Sequence, residues 1–346
     1  MRISMPLQYA GEPKAAVEQV VALEKAGLDT VWVAEAYGYD SPTLMGYLAA
    51  RTERVEIGSA ILPMYSRTPA LVAMTAAGLD HLSEGRAILG LGASGPQVIE
   101  GFHGIPYTKP LTRTRETIEI CRKIWAREER LTHDGDVFTL PLPPEQGTGL
   151  GRPLKIINHP ERPRIPIHVA SLGVKNVEMT AEIADGWLPH LFIPEKADQV
   201  WGQALAKGTA ARDASLGPLD ITAGGLLAIG EGEETRSLLE FTRPMIALYV
   251  GGMGAKGKNF YNTVARRYGY EEAAERIQDL YLDGKKDEAA AAVPDEFVEL
   301  TNLVGPESYV RERVEAFRAA GVTRLNVTPV GGDPAELIAK VKEWAS

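Results

Sequence analysis

Apolar residues in the first ninety positions fall into short continuous runs, each followed by a stretch in which they recur every three or four residues. Ile3 to Leu7 reads as strand one and Lys14 to Ala26 as its helix, closed by Gly27. Thr30 to Ala34 is strand two, followed by a helix from about Ser41 to Arg51. Val55 to Leu62 is strand three. Its helix, Pro69 to Leu82, has proline at the start, where the missing N–H is tolerated. Arg86 to Leu91 and Thr112 to Arg127 form the fourth pair. Unbroken apolar strands suit a parallel sheet buried on both faces. The alternation of strand and helix specifies an α/β fold.

The rhythm lapses between Leu131 and Pro163, a stretch rich in proline and glycine that reads as an excursion of extended segments. It resumes with Ile167 to Ala170, a helix from Val174 to Ala184, Gly186 to Leu188, and a helix from Pro194 to about Ala214. Ile221 to Ile229 is strand seven. Residues 231 to 320 are largely helical, more than one crossover needs, with a glycine-rich break at Gly251 to Gly257. Leu325 to Thr328 and a helix from Pro334 to Trp344 complete the series. Eight strands and eight helix positions favour a closed (β/α)8 TIM barrel, with insertions after strands 4 and 7, over an open sheet. No linker divides residues 1–346, so one domain is expected.

Composition narrows the ligands. The 346 residues carry a formal net charge of -9, which argues against nucleic acid as a partner. An anionic ligand would need local N–H donors or cations working against that field. The single cysteine, Cys121, lies in the amphipathic run Ile118 to Ile124, where a packed thiol is expected rather than a nucleophile. Met1 to Leu7 runs straight into a strand with no basic and apolar leader, and no apolar run reaches the roughly 18 residues of a membrane span. The cytosol is the expected location.

Gly90-Leu91-Gly92-Ala93-Ser94-Gly95 matches the dinucleotide pattern G-x-G-x-x-G. Three βα units precede it and Pro96 follows it, whereas a dinucleotide loop opens the first unit and leads into a helix. A glycine-rich loop at the mouth of strand four is the more economical reading. Gly252 to Asn259 comes one residue short of a phosphate-binding P-loop, with Asn259 in place of the Mg²⁺-holding hydroxyl. Lys256 and Lys258 could there reach an anion, or the loop could be plain surface. Ser171-Leu172-Gly173 follows strand five and opens a helix, whose free N–H groups can hold a phosphate without basic side chains. Glu35 ends strand two at the mouth, placed for acid/base work, for a hydrogen bond to a cofactor ring, or for a structural ion pair. The six histidines show no metal spacing. His103 and His190 lie in loops after strands four and six. No G-x-S-x-G elbow supports a serine hydrolase.

Several ordered segments resemble the bacterial-luciferase-like flavin and deazaflavin family, especially its coenzyme F420-dependent branch. They are Glu24 to Val33, Gly58 to Leu62, Leu79 to Arg86 with Leu89 to Gly92, Gly101 to Gly104, Thr112 to Glu116 and Ala184 to Trp187. The resemblance covers most of the chain. It implies an oxidoreductase with a deazaflavin or flavin across the barrel mouth, backed by a strand-three bulge at Ser59, Ala60 and Ile61. The Ala60-Ile61 peptide is expected to be cis. The phosphate would sit at Ser171, Leu172, Gly173 and Val174, with Gly92, Ala93 and Gln97 lining the ring or its side chain. Some F420 enzymes of this family carry an Asp-His pair at the end of strand two, where this chain has Glu35-Ala36.

The expected activity is hydride transfer between coenzyme F420 and a small organic substrate, with Glu35 as proton shuttle or ring anchor. An FMN-dependent luciferase-like monooxygenase is the nearest alternative. A non-redox lyase or isomerase barrel binding a phosphorylated metabolite is more distant, as is a redox-dead cofactor-binding protein. A homodimer is expected, with no metal.

Overall fold

The computed structural model describes residues 1–8 and 11–346. Eight parallel strands line the barrel: β1 (Arg2–Pro6), β2 (Thr30–Val33), β3 (Glu56–Ser59), β4 (Ala87–Gly92), β5 (Ile167–Val169), β6 (Gly186–Trp187), β7 (Asp220–Ala223) and β8 (Arg324–Asn326). They pair in the order β3-β2-β1-β8-β7-β6-β5-β4, and a further β3–β4 pairing closes the ring. Val31 lies opposite Ile57, Ile57 opposite Ala87, and Leu91 opposite Val169. Closure leaves no barrel strand with an open edge.

The crossover helices are α1 (Pro13–Lys25), α2 (Ser41–Arg51), α3 (Pro69–Leu82), α4 (Pro110–Ala126), α5 (Val174–Ile183), α6 (Gln203–Ala211), α7 (Glu307–Ala319) and α8 (Pro334–Ala345). Local chemistry sets several of their starts. Asp40, Thr68 and Asp333 accept hydrogen bonds from the amides of Thr43, Leu71 and Ala335, and proline follows each within two positions. Cys121 is buried on α4, and burial pushes its thiol up. No helix among the described residues is long and apolar enough to cross a membrane.

The expected barrel and both insertions are present, with three differences in detail. Strand three breaks after Ser59 and resumes as Leu62–Pro63, paired with Leu91 and Gly92. Strand seven stops at Ala223 because Gly224 passes so close to strand eight that a Cβ there would lie 2.2 Å from the Asn326 carbonyl oxygen. The chain resumes as Leu226–Ile229 in a small parallel sheet with Leu303–Gly305 and Thr328–Pro329, above the barrel proper. The single helix expected from Pro194 to Ala214 is a 3-10 turn, a wider turn at Asp198–Gly202 and then α6. That wider turn carries the buried Trp201, whose indole N–H donates to the Leu172 carbonyl at 2.9 Å.

Apolar side chains fill most of the interior, but the N-terminal end of the barrel holds a charge. Arg324 on β8 is buried and donates to Glu56 at 2.5 Å, to Asp220 at 2.7 Å and to the Thr30 hydroxyl. Burial alone would raise both carboxyls, yet the Arg324 guanidinium outweighs it and holds each below its ordinary value. Their stabilisation is therefore present above the usual carboxylate range and lost as pH falls through their lowered values. Arg324→Met should cost about 3–5 kcal/mol in urea unfolding at neutral pH, because two carboxylates lose their buried partner. A loss within experimental error would show that the network is solvated and unimportant.

Candidate active site

Loops at the C-terminal ends of the strands form the barrel mouth, opposite the Arg324 network. Its floor is built where strand three breaks. The Ala60-Ile61 peptide is cis, as the family resemblance implied. The Ala60 amide donates to the Val33 carbonyl at 2.7 Å. Ser59 is buried, and its hydroxyl donates to the Gly90 carbonyl at 2.8 Å while accepting from the Gly90 amide at 2.9 Å. Its side chain thus braces β3 against β4.

The same contacts explain the glycine pattern. A Cβ on Gly90 would lie 1.7 Å from the Ser59 carbonyl oxygen, and one on Gly92 would lie 2.8 Å from the Ile61 side chain. Both glycines make room for the neighbouring strand. Gly95, the third of the motif, has open space around it and precedes a short helix, Pro96–Gly101. Of the residues expected around a ring, Gly92 is buried against Ile61, Ala93 is half-buried, and Gln97 is exposed on that short helix.

The expected anion site lies on β5, next to β4. The Ser171 hydroxyl turns inward onto the Thr180 hydroxyl at 2.9 Å, and its carbonyl accepts the Trp187 indole N–H at 2.9 Å. With the Trp201 bond to Leu172, these contacts fix the loop from beneath. Gly173 caps α5 and offers no side-chain acceptor, so the Val174 and Lys175 amides have no partner among the described residues. Phe260 stands against Gly173, its ring 3.2 Å from where a Cβ would be. An uncapped helix start of this kind attracts an anion through its N–H groups and its dipole.

Glu35 sits at the end of β2, but both carboxylate oxygens are engaged. Arg67 grips it in a two-pronged ion pair, one prong at 2.8 Å. The Ser41 amide donates to it at 2.8 Å and the Ser41 hydroxyl at 3.3 Å. These contacts tie the β2 loop to α2 and to the segment before α3.

The P-loop-like segment also has a different explanation. The Asn259 side chain caps the helix Phe260–Arg267, accepting from the Tyr261 and Asn262 amides at 2.9 and 3.1 Å. Lys256 pairs with Asp279, and Lys258 is exposed.

A group of aromatic residues at the mouth was not legible in the sequence. Tyr65 stacks on Tyr107 with ring centres 4.9 Å apart, and Arg113 lies over the Tyr65 ring at 4.5 Å. The Tyr107 hydroxyl donates to the Ser94 carbonyl at 3.3 Å, and burial beside Tyr65 pushes it up to about 12. His190, after β6, packs with its ring centre 4.2 Å from Tyr249 and 5.8 Å from Tyr261. Its Nε2 is buried with no partner among the described residues, and burial lowers the imidazole to about 4. His103 also has a buried, unpartnered Nε2 and meets the Phe102 ring edge-on at 5.2 Å. His168 is different: it lies within the barrel against Trp32 at 5.4 Å, with Nε2 3.8 Å from Asp220.

The closed ring of eight parallel strands with its surrounding helices defines a (β/α)8-barrel protein. Residues 1–324 match the luciferase-like monooxygenase family, and the chain belongs to it. It is 42% identical over 330 residues to a Mycobacterium tuberculosis protein named "Putative coenzyme F420-dependent oxidoreductase", with 95% of each chain covered. Its fold is similar to that of the coenzyme F420 dependent tetrahydromethanopterin reductase from Methanopyrus kandleri. The TM-score is 0.78 at 23% identity, covering 99% of this chain and 97% of the other. It is also similar to an F420-dependent secondary alcohol dehydrogenase solved with an F420-acetone adduct, with a TM-score of 0.74 at 19% identity, covering 100% and 99%.

Proposed function

We propose that this chain is a coenzyme F420-dependent oxidoreductase that moves a hydride between the deazaflavin and a small organic substrate. The observation that carries the reading is the pairing of a flat floor with an anion-ready helix start on neighbouring strands. The backbone of Ser59, Ala60 and Ile61, with Gly92 and Ala93, would face the ring system, and Gln97 its side chain. Ser171, Leu172, Gly173 and Val174 would hold the phosphate. When bound, the deazaflavin supplies the carbon that gives or takes the hydride, and the chain binds, orients and shields it. Glu35 and Arg67 hold the adjoining loop in place.

FMN would suit the same floor and anion site, which accounts for the monooxygenase alternative. The names of the relative and of the two solved neighbours favour F420. A side-by-side fluorescence titration decides between them. F420 is expected to bind about tenfold more tightly than FMN or better, a gap of about 1.4 kcal/mol. Equal or reversed affinities would overturn the cofactor assignment.

A further inference from the structure

Four large apolar side chains stand exposed around the mouth of a protein whose net charge is -9: Tyr37 at 68%, Tyr39 at 78%, Phe102 at 65% and Phe260 at 60%. Tyr37 and Phe102, from the loops after β2 and β4, approach to 6.4 Å, and Phe260 stands beside Gly173 after β5. Aromatic rings gathered at the open end of a barrel mark a surface that takes apolar molecules. Charged groups in the surrounding segments make contacts within the chain. Glu35 pairs with Arg67, and Arg113 lies between the Tyr65 and Phe138 rings at 4.5 and 5.0 Å, its Nε buried without a partner among the described residues.

Inside this apolar rim is a polar atom without a partner. Leaving a buried donor or acceptor unpaired costs about 1–3 kcal/mol, so the His190 Nε2 position calls for an explanation. The surrounding structure holds it firmly. Leu191, the next residue, has φ +55, a left-handed conformation that a leucine adopts only when its neighbours impose it. The constraint comes from Tyr268, whose hydroxyl donates to the Leu191 carbonyl at 3.1 Å and accepts from the Ile193 amide at 3.2 Å. Because burial keeps the imidazole uncharged at neutral pH, it offers a hydrogen bond and no attraction for an anion.

We infer that the substrate is an uncharged, largely apolar molecule carrying a hydroxyl or carbonyl oxygen, and that the His190 Nε2 holds that oxygen at the mouth. This rests on the redox reading proposed above and adds to it the substrate class and the residue that recognises it.

Protein labelled with ¹⁵N-histidine tests it by long-range ¹H–¹⁵N spectra, with the His190 signal assigned from a His190→Gln variant. The spectra are recorded with and without saturating F420. Cyclohexanone, 2-decanone and cyclohexanol are the uncharged probes; glucose 6-phosphate and glutamate are the charged ones. The uncharged probes are expected to shift the Nε2 resonance, and the charged probes at equal concentration are expected to leave it in place. His190→Gln should weaken cyclohexanone binding by about tenfold, equal to about 1.4 kcal/mol. A His190 signal indifferent to every uncharged probe, or one that answers the charged probes equally, overturns the inference. Should His190→Gln fold poorly, His190→Asn supplies the same assignment, and the wild-type spectra then decide the matter. F420 binding without any His190 response fails this inference alone. A response to ketones in a protein that ignores F420 fails the cofactor reading and leaves the oxygen site standing.

Discussion

Gly173→Asp is expected to remove cofactor binding while leaving the barrel folded and no less stable. The residue is the N-cap of α5 with φ -67 and ψ 139, a conformation open to any side chain, so the substitution brings no backbone strain. Aspartate is among the preferred N-cap residues. Its carboxylate would accept from the first-turn amides that glycine leaves open, raising helix stability by a few tenths of a kcal/mol. It would also place a negative charge where a phosphate has to sit. The Phe260 ring, 3.2 Å from the new Cβ, is exposed and can swing aside. Affinity for the cofactor should fall about 100-fold, or about 2.8 kcal/mol. Gly173→Asn separates the two effects, since it caps without charge and should lose only about tenfold. The readouts are a fluorescence titration, circular dichroism and the melting temperature. Unchanged affinity in a well-folded Gly173→Asp protein would move the phosphate away from α5.

Gly90→Ala should damage both stability and cofactor binding, although the change is one methyl group. The new carbon would lie 1.7 Å from the Ser59 carbonyl oxygen and 2.8 Å from its carbonyl carbon. Both obstacles are backbone, so relief requires β3 to move away from β4. That movement breaks the two hydrogen bonds that the Ser59 hydroxyl makes to Gly90. Overpacking costs typically 1–3 kcal/mol, and a backbone-to-backbone clash belongs at about 3 kcal/mol or above. The floor carrying Ala60 and Ile61 would shift with β3, so cofactor affinity should drop as well. Gly95→Ala is the internal control, because that position has φ -92 and open space around it. It should change stability by no more than about 0.5 kcal/mol. Similar effects at the two glycines would mean that strand packing is not what the motif serves.

These contrasts show why the glycine pattern was only half readable. Its place at the end of strand four pointed to the mouth. Which glycine was indispensable depended on the backbone of β3, about thirty residues earlier in the chain. Glu35 is a similar case. Its place at the end of β2 was legible, but the use of its carboxylate was set by Arg67, 32 residues away. His190 stood out only as a histidine in a loop after a strand. Tyr249 and Tyr261 gave no signal, because aromatic residues in a helical insertion read as ordinary packing. Asn259 could have been recognised, since asparagine ahead of a helical run is a familiar N-cap.

The sequence by itself determined what depends on near neighbours. Apolar periodicity set the βα units, proline with Asp or Thr set several helix starts, and Gly173 ahead of α5 left that helix start without a side-chain cap. Each of these is a contact between residues a few positions apart, so its chemistry is written in order along the chain. The tertiary structure alone decided which distant groups meet. Arg324 reaches Thr30, Glu56 and Asp220 across sequence separations of 294, 268 and 104 residues, because closing the barrel brings its last strand beside its first. The same closure spent the charge of Glu35 on Arg67 and left the His190 Nε2 unpaired among aromatic rings. Residue types allow such pairings in many combinations, and only the register and curvature of a closed sheet select one of them.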